Sequence, residues 1–283
     1  MISAKSRFYL IFFLITYLSL LNLRAQAADS DSQWQFSLGL GAGIRTNPVM
    51  DNDDIPLVVI PYASYQGERF FIQNLDFGYT LFENETQQFN LLITPSYDQV
   101  FFNKWDINNF IERSGLALGS SNDIPTVEHT NRVIDKRLLH KRRMAGLAGV
   151  EFSRSFYGLD VQMQLLAEAT GYYNGSEARV AVSKTINLGK HDVKLTLGTN
   201  WQDAKTLNYY YGLPAQEAFN HTPYNPVNGF TTLLRFDWNY QLDDHWSLRF
   251  FTSYRHLSSS ISDSPLVTTN NVITAFAGGV YHF

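Results

Sequence analysis

Thr274 to Phe283 reads TAFAGGVYHF, and it ends the chain. Counted back in steps of two, Phe283, Tyr281, Gly279, Ala277, Ala275 and Ile273 form a row of apolar or small residues, the pattern of one strand face. An aromatic strand at the very end of a soluble domain would fray. A closed barrel instead pairs its last strand with its first. The competing reading is a hairpin strand of a soluble β-sandwich, and the rest of the chain decides between them.

Trp34 to Ile44 is the predicted first strand. Trp34, Phe36, Leu38, Leu40, Ala42 and Ile44 share one face, and Gln35, Ser37, Gly39, Gly41 and Gly43 the other. Apolar residues toward lipid and small or polar ones toward a lumen give this form. The pattern recurs down the chain. Leu159, Val161, Met163, Leu165, Ala167 and Ala169 oppose Asp160, Gln162, Gln164 and Glu168. Ala178, Val180, Val182, Ile186 and Leu188 alternate with Glu177, Arg179, Ser183 and Asn187. Later rows built on Phe230, Leu234, Phe236, Trp238 and Tyr240, then Trp246, Leu248, Phe250 and Tyr254, turn Arg235, Asp237, Arg249 and Arg255 inward. A soluble sandwich would leave too many such rows in water. With Glu168 and Arg179, these four charges are the predicted lumen lining.

Before the barrel, Met1 to Ala27 carries Lys5 and Arg7, an apolar core from Phe8 to Leu21, and Ala25-Gln26-Ala27. That is a cleavable secretory signal, too short in its core for a spanning helix. It predicts residues 1–27 as signal peptide and 28–283 as a single barrel domain. Beyond it no apolar run approaches 18 residues, so insertion must use strands. The chain has no cysteine, which excludes a disulfide framework and an acylated lipoprotein. Loss of Lys5, Arg7 and Arg24 takes the 22 basic residues to 19, against 26 acidic, so nucleic acid is not an expected partner.

Two long connections interrupt the strands, near 103–143 and 204–228, the second with a short predicted helix near Pro214 to Phe219. Long loops suit the outer side of a membrane barrel, and the short turns at 83–87, 153–158, 189–192 and 243–244 suit the periplasmic side. Direct reading gives eleven strands, and bacterial single-chain barrels have an even number. The predicted architecture is therefore an all-β transmembrane antiparallel barrel of about twelve strands, with ten as the alternative. Twelve requires Arg69 to Leu81 to hide two short strands bent near Asn74, although its residues Phe71, Leu75, Phe77, Tyr79 and Leu81 read as one row.

The first long loop ends on Lys136, Arg137, Lys141, Arg142 and Arg143. Placed extracellularly, these cations are candidates to contact lipopolysaccharide phosphates; a solvated loop base is the plainer reading. Asp51, Asp53 and Asp54 lack the glycine and glutamate of a calcium loop. Scattered histidines show no metal-ligand spacing, and no cofactor is expected. His256-Leu257-Ser258 places an imidazole and a hydroxyl on one strand face and resembles the His-x-Ser of outer-membrane lipid A deacylases. Ser259 stands where that family usually has asparagine, and no carboxylate is assigned to orient the base. Hydrolysis is thus the weakest of the functional readings.

Several stretches resemble the MipA/OmpV family of outer-membrane MltA-interacting proteins. They are Gly39-Leu40-Gly41-Ala42-Gly43, DDIPLVVIPYASYQGERFF from Asp53, YYYGLPAQEAF at 209–219, DDHWSL at 243–248, DSPLV at 263–267 and the ending AGGVYHF. The resemblance implies a non-enzymatic barrel in the Gram-negative outer membrane, a scaffold joining a murein hydrolase of the lytic transglycosylase type to a murein synthase. It brings no catalytic residues, and the 103–143 segment is longer than the family pattern. A channel for small solutes or antibiotics is the alternative, motivated by the charged lumen. Tyr281 and Phe283 are expected to act as the signal for the barrel-assembly machinery, with outer-membrane lipid and lipopolysaccharide as surroundings.

Overall fold

A computed structural model describes residues 33–50, 52–101, 139–218 and 222–283. The predicted signal peptide, Lys136 and Arg137 lie outside the described residues. Residues Ser32–Phe283 form one compact unit.

Twelve strands among the described residues close into an antiparallel barrel: β1 (Gln33–Arg45), β2 (Val59–Gln66), β3 (Phe70–Gln73), β4 (Asp76–Glu83), β5 (Gln87–Pro95), β6 (Gly146–Phe156), β7 (Leu159–Glu168), β8 (Ser176–Leu188), β9 (His191–Gln202), β10 (Gly229–Gln241), β11 (Trp246–His256) and β12 (Asn271–His282). Each pairs with its sequence neighbours, and β12 pairs with β1 from Ser37↔His282 to Arg45↔Thr274. The ending TAFAGGVYHF is the closing strand. A two-residue stub, Ile55–Pro56, lies against Ile44 and Arg45 beside the end of β1.

Alternation follows from the two solvents of such a wall. On β9, Leu195 and Leu197 are 47% and 58% exposed toward the lipid side, whereas Thr196 between them is 2% exposed on the inside. Because lipid offers no hydrogen-bond partner, backbone groups must be satisfied strand to strand, and the ladder that runs round the barrel supplies those partners. At the short-turn end, stacked and edge-packed rings line the rim: Trp34 with Phe36 and Tyr65, Phe70 with Tyr79, and Tyr281 with Trp246 and Phe283. Their rigid, amphipathic side chains suit the membrane interface.

The strand hidden in Arg69 to Leu81 resolves as β3 and β4 around Asn74, which has φ 56. Its backbone N–H donates to Ala63 O at 2.7 Å, and its side-chain oxygen accepts from Ala63 N at 2.8 Å. Asparagine tolerates the left-handed region because its short polar side chain bonds locally. The bend corrects the predicted single row. Phe70 and Phe77 face out, 65% and 51% exposed, while Phe71 turns inward, and a bulge between Thr80 and Phe82 shifts the face again. The inward Phe71 ring occupies the space that any side chain at Gly78 would need.

The short turns gather at one end of the barrel. Tyr157 and Gly158 alone join β6 to β7, both with positive φ (50° and 72°), so the strands run farther than the predicted 153–158 turn. Two residues with positive φ match the strand twist of a tight hairpin. The opposite end is where the long connections lie. The 204–228 connection is more structured than expected. It holds α1 (Ala204–Tyr211) and α2 (Ala215–Ala218), the latter inside the predicted short helix, and a third helix, α3 (Ser259–Ser262), follows β11.

Candidate functional site

The outer opening is filled by those connections. Helix α1 starts at Asp203, whose carboxylate accepts from Thr206 N and Thr206 Oγ1, both at 2.9 Å. This cap satisfies an otherwise orphaned amide. Leu207, Tyr210 and Tyr211 then recur at helical spacing and are all fully buried. They pack with Val49, Val100, Phe101, Leu257, Ile261 and Val272, which come from four other parts of the chain. Short links lock the loops together: Val49 bridges Val267, Met50 N donates to Leu266 O at 2.8 Å, and Asn47 and Asn52 both donate to Phe101 O at 2.8 and 2.7 Å. Each large apolar side chain so buried contributes roughly 1.5–3 kcal/mol. The plug is a second core set across the barrel mouth.

Arg142 fastens it. The side chain is 5% exposed and donates from Nε to Tyr210 O at 2.6 Å and from Nη2 to Gly212 O at 3.0 Å, capping the end of α1. Burial lowers its pKa from the ordinary value, opposed by the charge of Glu217 4.0 Å away. Its guanidinium is committed inside the molecule, which removes Arg142 from the predicted lipopolysaccharide set. Lys141 and Arg143 are exposed on either side of it. Arg143 lies over the Tyr172 ring, and its N–H donates to Tyr209 Oη at 2.8 Å.

Below the plug the lumen wall carries charge. Asp98, in the turn after β5, accepts from Tyr211 Oη at 2.8 Å and from Gln202 Nε2 at 2.6 Å. Burial, together with this carboxylate, pushes the Tyr211 phenol well above its ordinary value, so it remains a neutral donor. Gln202 also reaches Glu177, which holds Arg179 at 2.8 Å. The Arg179 guanidinium lies over the Tyr97 ring and reaches Gln164 at 3.5 Å. Gln164 in turn donates to Glu151 at 2.7 Å. A continuous polar belt therefore ties the plug to strands β5 to β9. A separate set joins Arg235 to Asp237 at 2.7 Å, with Arg249 3.7 Å from the same carboxylate and both guanidinium groups over Phe251. Arg255 lies over Phe101 and within electrostatic reach of Asp98. Buried charges persist only when paired in this way.

Of the predicted lining, Arg179, Arg235, Asp237, Arg249 and Arg255 point inward as these two sets. Glu168 stands apart at the mouth. It accepts from Thr170 Oγ1 and from the backbone N–H groups of Tyr173 and Asn174, shaping the β7–β8 loop. The sequence reading missed Asp98, Tyr211, Gln202 and Glu151, and took Arg142 as external. His256 and Ser258 are not joined. The imidazole Nδ1 is 3.0 Å from Asn271 Oδ1, and the Ser258 hydroxyl is buried with no hydrogen bond among the described residues. Asp54 accepts from Asn47 N, a loop contact; Asp51 lies outside the described residues.

A closed ladder, lipid-facing apolar rows, an aromatic rim and a loop-filled mouth define an integral outer-membrane β-barrel protein. Structural likeness at this level is broad: a loop-deletion mutant of the outer-membrane protein OmpT of Vibrio cholerae aligns at 10% identity and TM-score 0.35, over 90% of this chain and 100% of that one. Residues 38–283 match the family described as MltA-interacting protein MipA, and the chain belongs to that family. It is 26% identical to the MltA-interacting protein of Escherichia coli K12, over 92% of this chain and 95% of that protein. It is 27% identical to the outer membrane protein OmpV of Vibrio cholerae serotype O1, over 74% and 77%. The protein resides in the outer membrane, the location that the name of the Vibrio cholerae relative states for it.

Proposed function

We propose that this barrel works without catalysis, by protein contact at its periplasmic rim, and that its partner is a murein hydrolase. The observation that carries this reading is an overhang. The β7–β8 ladder stops at Asp160↔Ser183, yet β8 continues through Lys184–Leu188 and returns in β9, which stays paired with β10 as far as His191↔Tyr240, so five residues of β8 pass the rim on the β7 side. At about 3.3 Å per residue this is roughly 16 Å of strand. Residues 184 to 192 are exposed on both faces, with Ile186 and Leu188 among them. A two-faced hairpin with apolar side chains offers more contact area than a two-residue turn. The name of the E. coli relative supports the choice of partner.

The filled mouth also weighs against an open channel, and supports contact over conduction. The charged wall favours the opposite reading, passage of small solutes, and one experiment separates them. Purified protein in planar bilayers is expected to show no steady conductance, and in detergent extracts to enrich a murein hydrolase over an unrelated barrel. Replacing Lys184–Asp192 by a two-residue turn should abolish that enrichment while leaving the barrel folded. Stable single-channel steps together with unchanged capture would reject the contact reading. At the opposite face, Lys141 and Arg143 retain the proposed role against lipopolysaccharide phosphates.

A further inference from the structure

Two cavities lie in the half of the lumen below the plug. A cavity of about 240 Å³ extends from Gln66 and Gln88, near the short turns, to Asn90 and Tyr97 beneath the plug. A second cavity of the same volume shares Ser153, Gln162 and Lys194 with it. Either holds about eight waters at roughly 30 Å³ each, which is the size class of an amino acid or a dipeptide.

Glu151 organises one part of that wall. Its carboxylate can only accept, and it accepts from Asn90 Nδ2 at 2.9 Å, Gln162 Nε2 at 2.6 Å and Gln164 Nε2 at 2.7 Å. Each amide has therefore turned its NH₂ to Glu151 and its carbonyl oxygen away. The Gln164 oxygen is taken by Arg179. The Asn90 oxygen has no partner, although the residue is only 1% exposed. A buried acceptor left unmatched in a built network signals a missing donor. Elsewhere on the same cavities stands Lys194. It is within electrostatic range of Asp237 but donates no hydrogen bond and forms no ion pair among the described residues.

We infer that this half-lumen binds a small zwitterion, an amino acid or dipeptide, from the periplasmic side. The ligand's ammonium supplies a donor to the unmatched Asn90 oxygen beside Glu151, and its carboxylate meets Lys194. A sugar would satisfy the acceptors and leave the ammonium of Lys194 idle. A simple anion would satisfy Lys194 and meet the repulsion of Glu151. This site goes beyond the contact function proposed above and needs no partner protein, so each stands or falls separately.

Calorimetric titration of the purified full-length barrel in detergent tests it, with alanyl-alanine as probe and acetate, ethylamine and glucose as fragments. Saturable binding of one dipeptide per barrel is expected, at least tenfold tighter than any fragment. Lys194→Met should weaken it tenfold or more, and Gln162→Met should weaken it as well, with heat-modifiable mobility showing that both variants fold. No saturable dipeptide binding by the unmodified barrel would overturn the inference. So would affinity unchanged in Lys194→Met, or glucose binding as tightly as the dipeptide.

Discussion

Gly41→Val should abolish the folded barrel. Gly41 sits at the middle of the closing seam, directly opposite Gly278. A Cβ at Gly41 would overlap the carbonyl oxygen of Ala277 and crowd Gly278 Cα, both backbone atoms that cannot rotate aside. The strands must therefore part, and the ladder from Ser37↔His282 to Arg45↔Thr274 loses its centre. In lipid each unsatisfied backbone group costs several kcal/mol, so a few lost pairs exceed the whole marginal stability of about 5–15 kcal/mol of a typical domain. Membranes from cells making the variant should contain little or no heat-modifiable protein. Ala42→Val is the control, since Ala42 faces lipid on the same strand and has room there. Deleting Phe283 should act in the same direction but less strongly. Its N–H donates to Phe36 O at 3.0 Å and its ring packs on Tyr281, so the seam frays at one end without being forced open. Folded Gly41→Val at the unmodified level would refute this account of closure.

The closing strand was legible because two environments impose a period of two on any lipid-facing strand, and Phe283, Tyr281 and Ile273 follow it. The strand count was legible by parity, and Asn74 marked the bend. Phe71 was misread because the bend and a bulge reverse the facing of neighbouring residues, and a local pattern does not record a break in its own phase. Helix α1 left a signal that went unused: Asp203 followed three residues later by Thr206, then Leu207, Tyr210 and Tyr211 at i, i+3 and i+4. Inside a barrel sequence those tyrosines read only as part of the long 204–228 connection. Their true partners, Asp98, Phe101 and Ile261, lie far along the chain, so no window contains them. Nor does a basic run reveal its own sorting. Lys141, Arg142 and Arg143 have the same charge, and only the carbonyls at the end of α1 distinguish the middle one.

That distinction supplies a second large effect, Arg142→Met. Methionine keeps much of the buried volume and removes all three donors, so the buried Tyr210 O and Gly212 O lose this partner, as does His140 O nearer the surface. Each orphaned acceptor costs about 1–3 kcal/mol, and the pair should cost the plug about 2–4 kcal/mol after relaxation. The barrel wall is not touched, so the loss is local: heat-modifiable mobility should stay unchanged while the plug opens more often. Added protease should then cut within 204–218 faster than in the unmodified protein, and amide exchange along α1 should rise by tenfold or more. Arg142→Lys should recover only part of the protection, because a single ammonium cannot reproduce the fork that spans two carbonyls. Asp98→Asn provides an independent comparison. It weakens the Tyr211 and Gln202 bonds at the far side of the same plug, and should expose the same segment without affecting Arg142. If Arg142→Met leaves proteolysis and exchange at the unmodified level, α1 is held by its apolar contacts with Phe101 and Ile261, and the buried guanidinium is not what keeps the mouth closed.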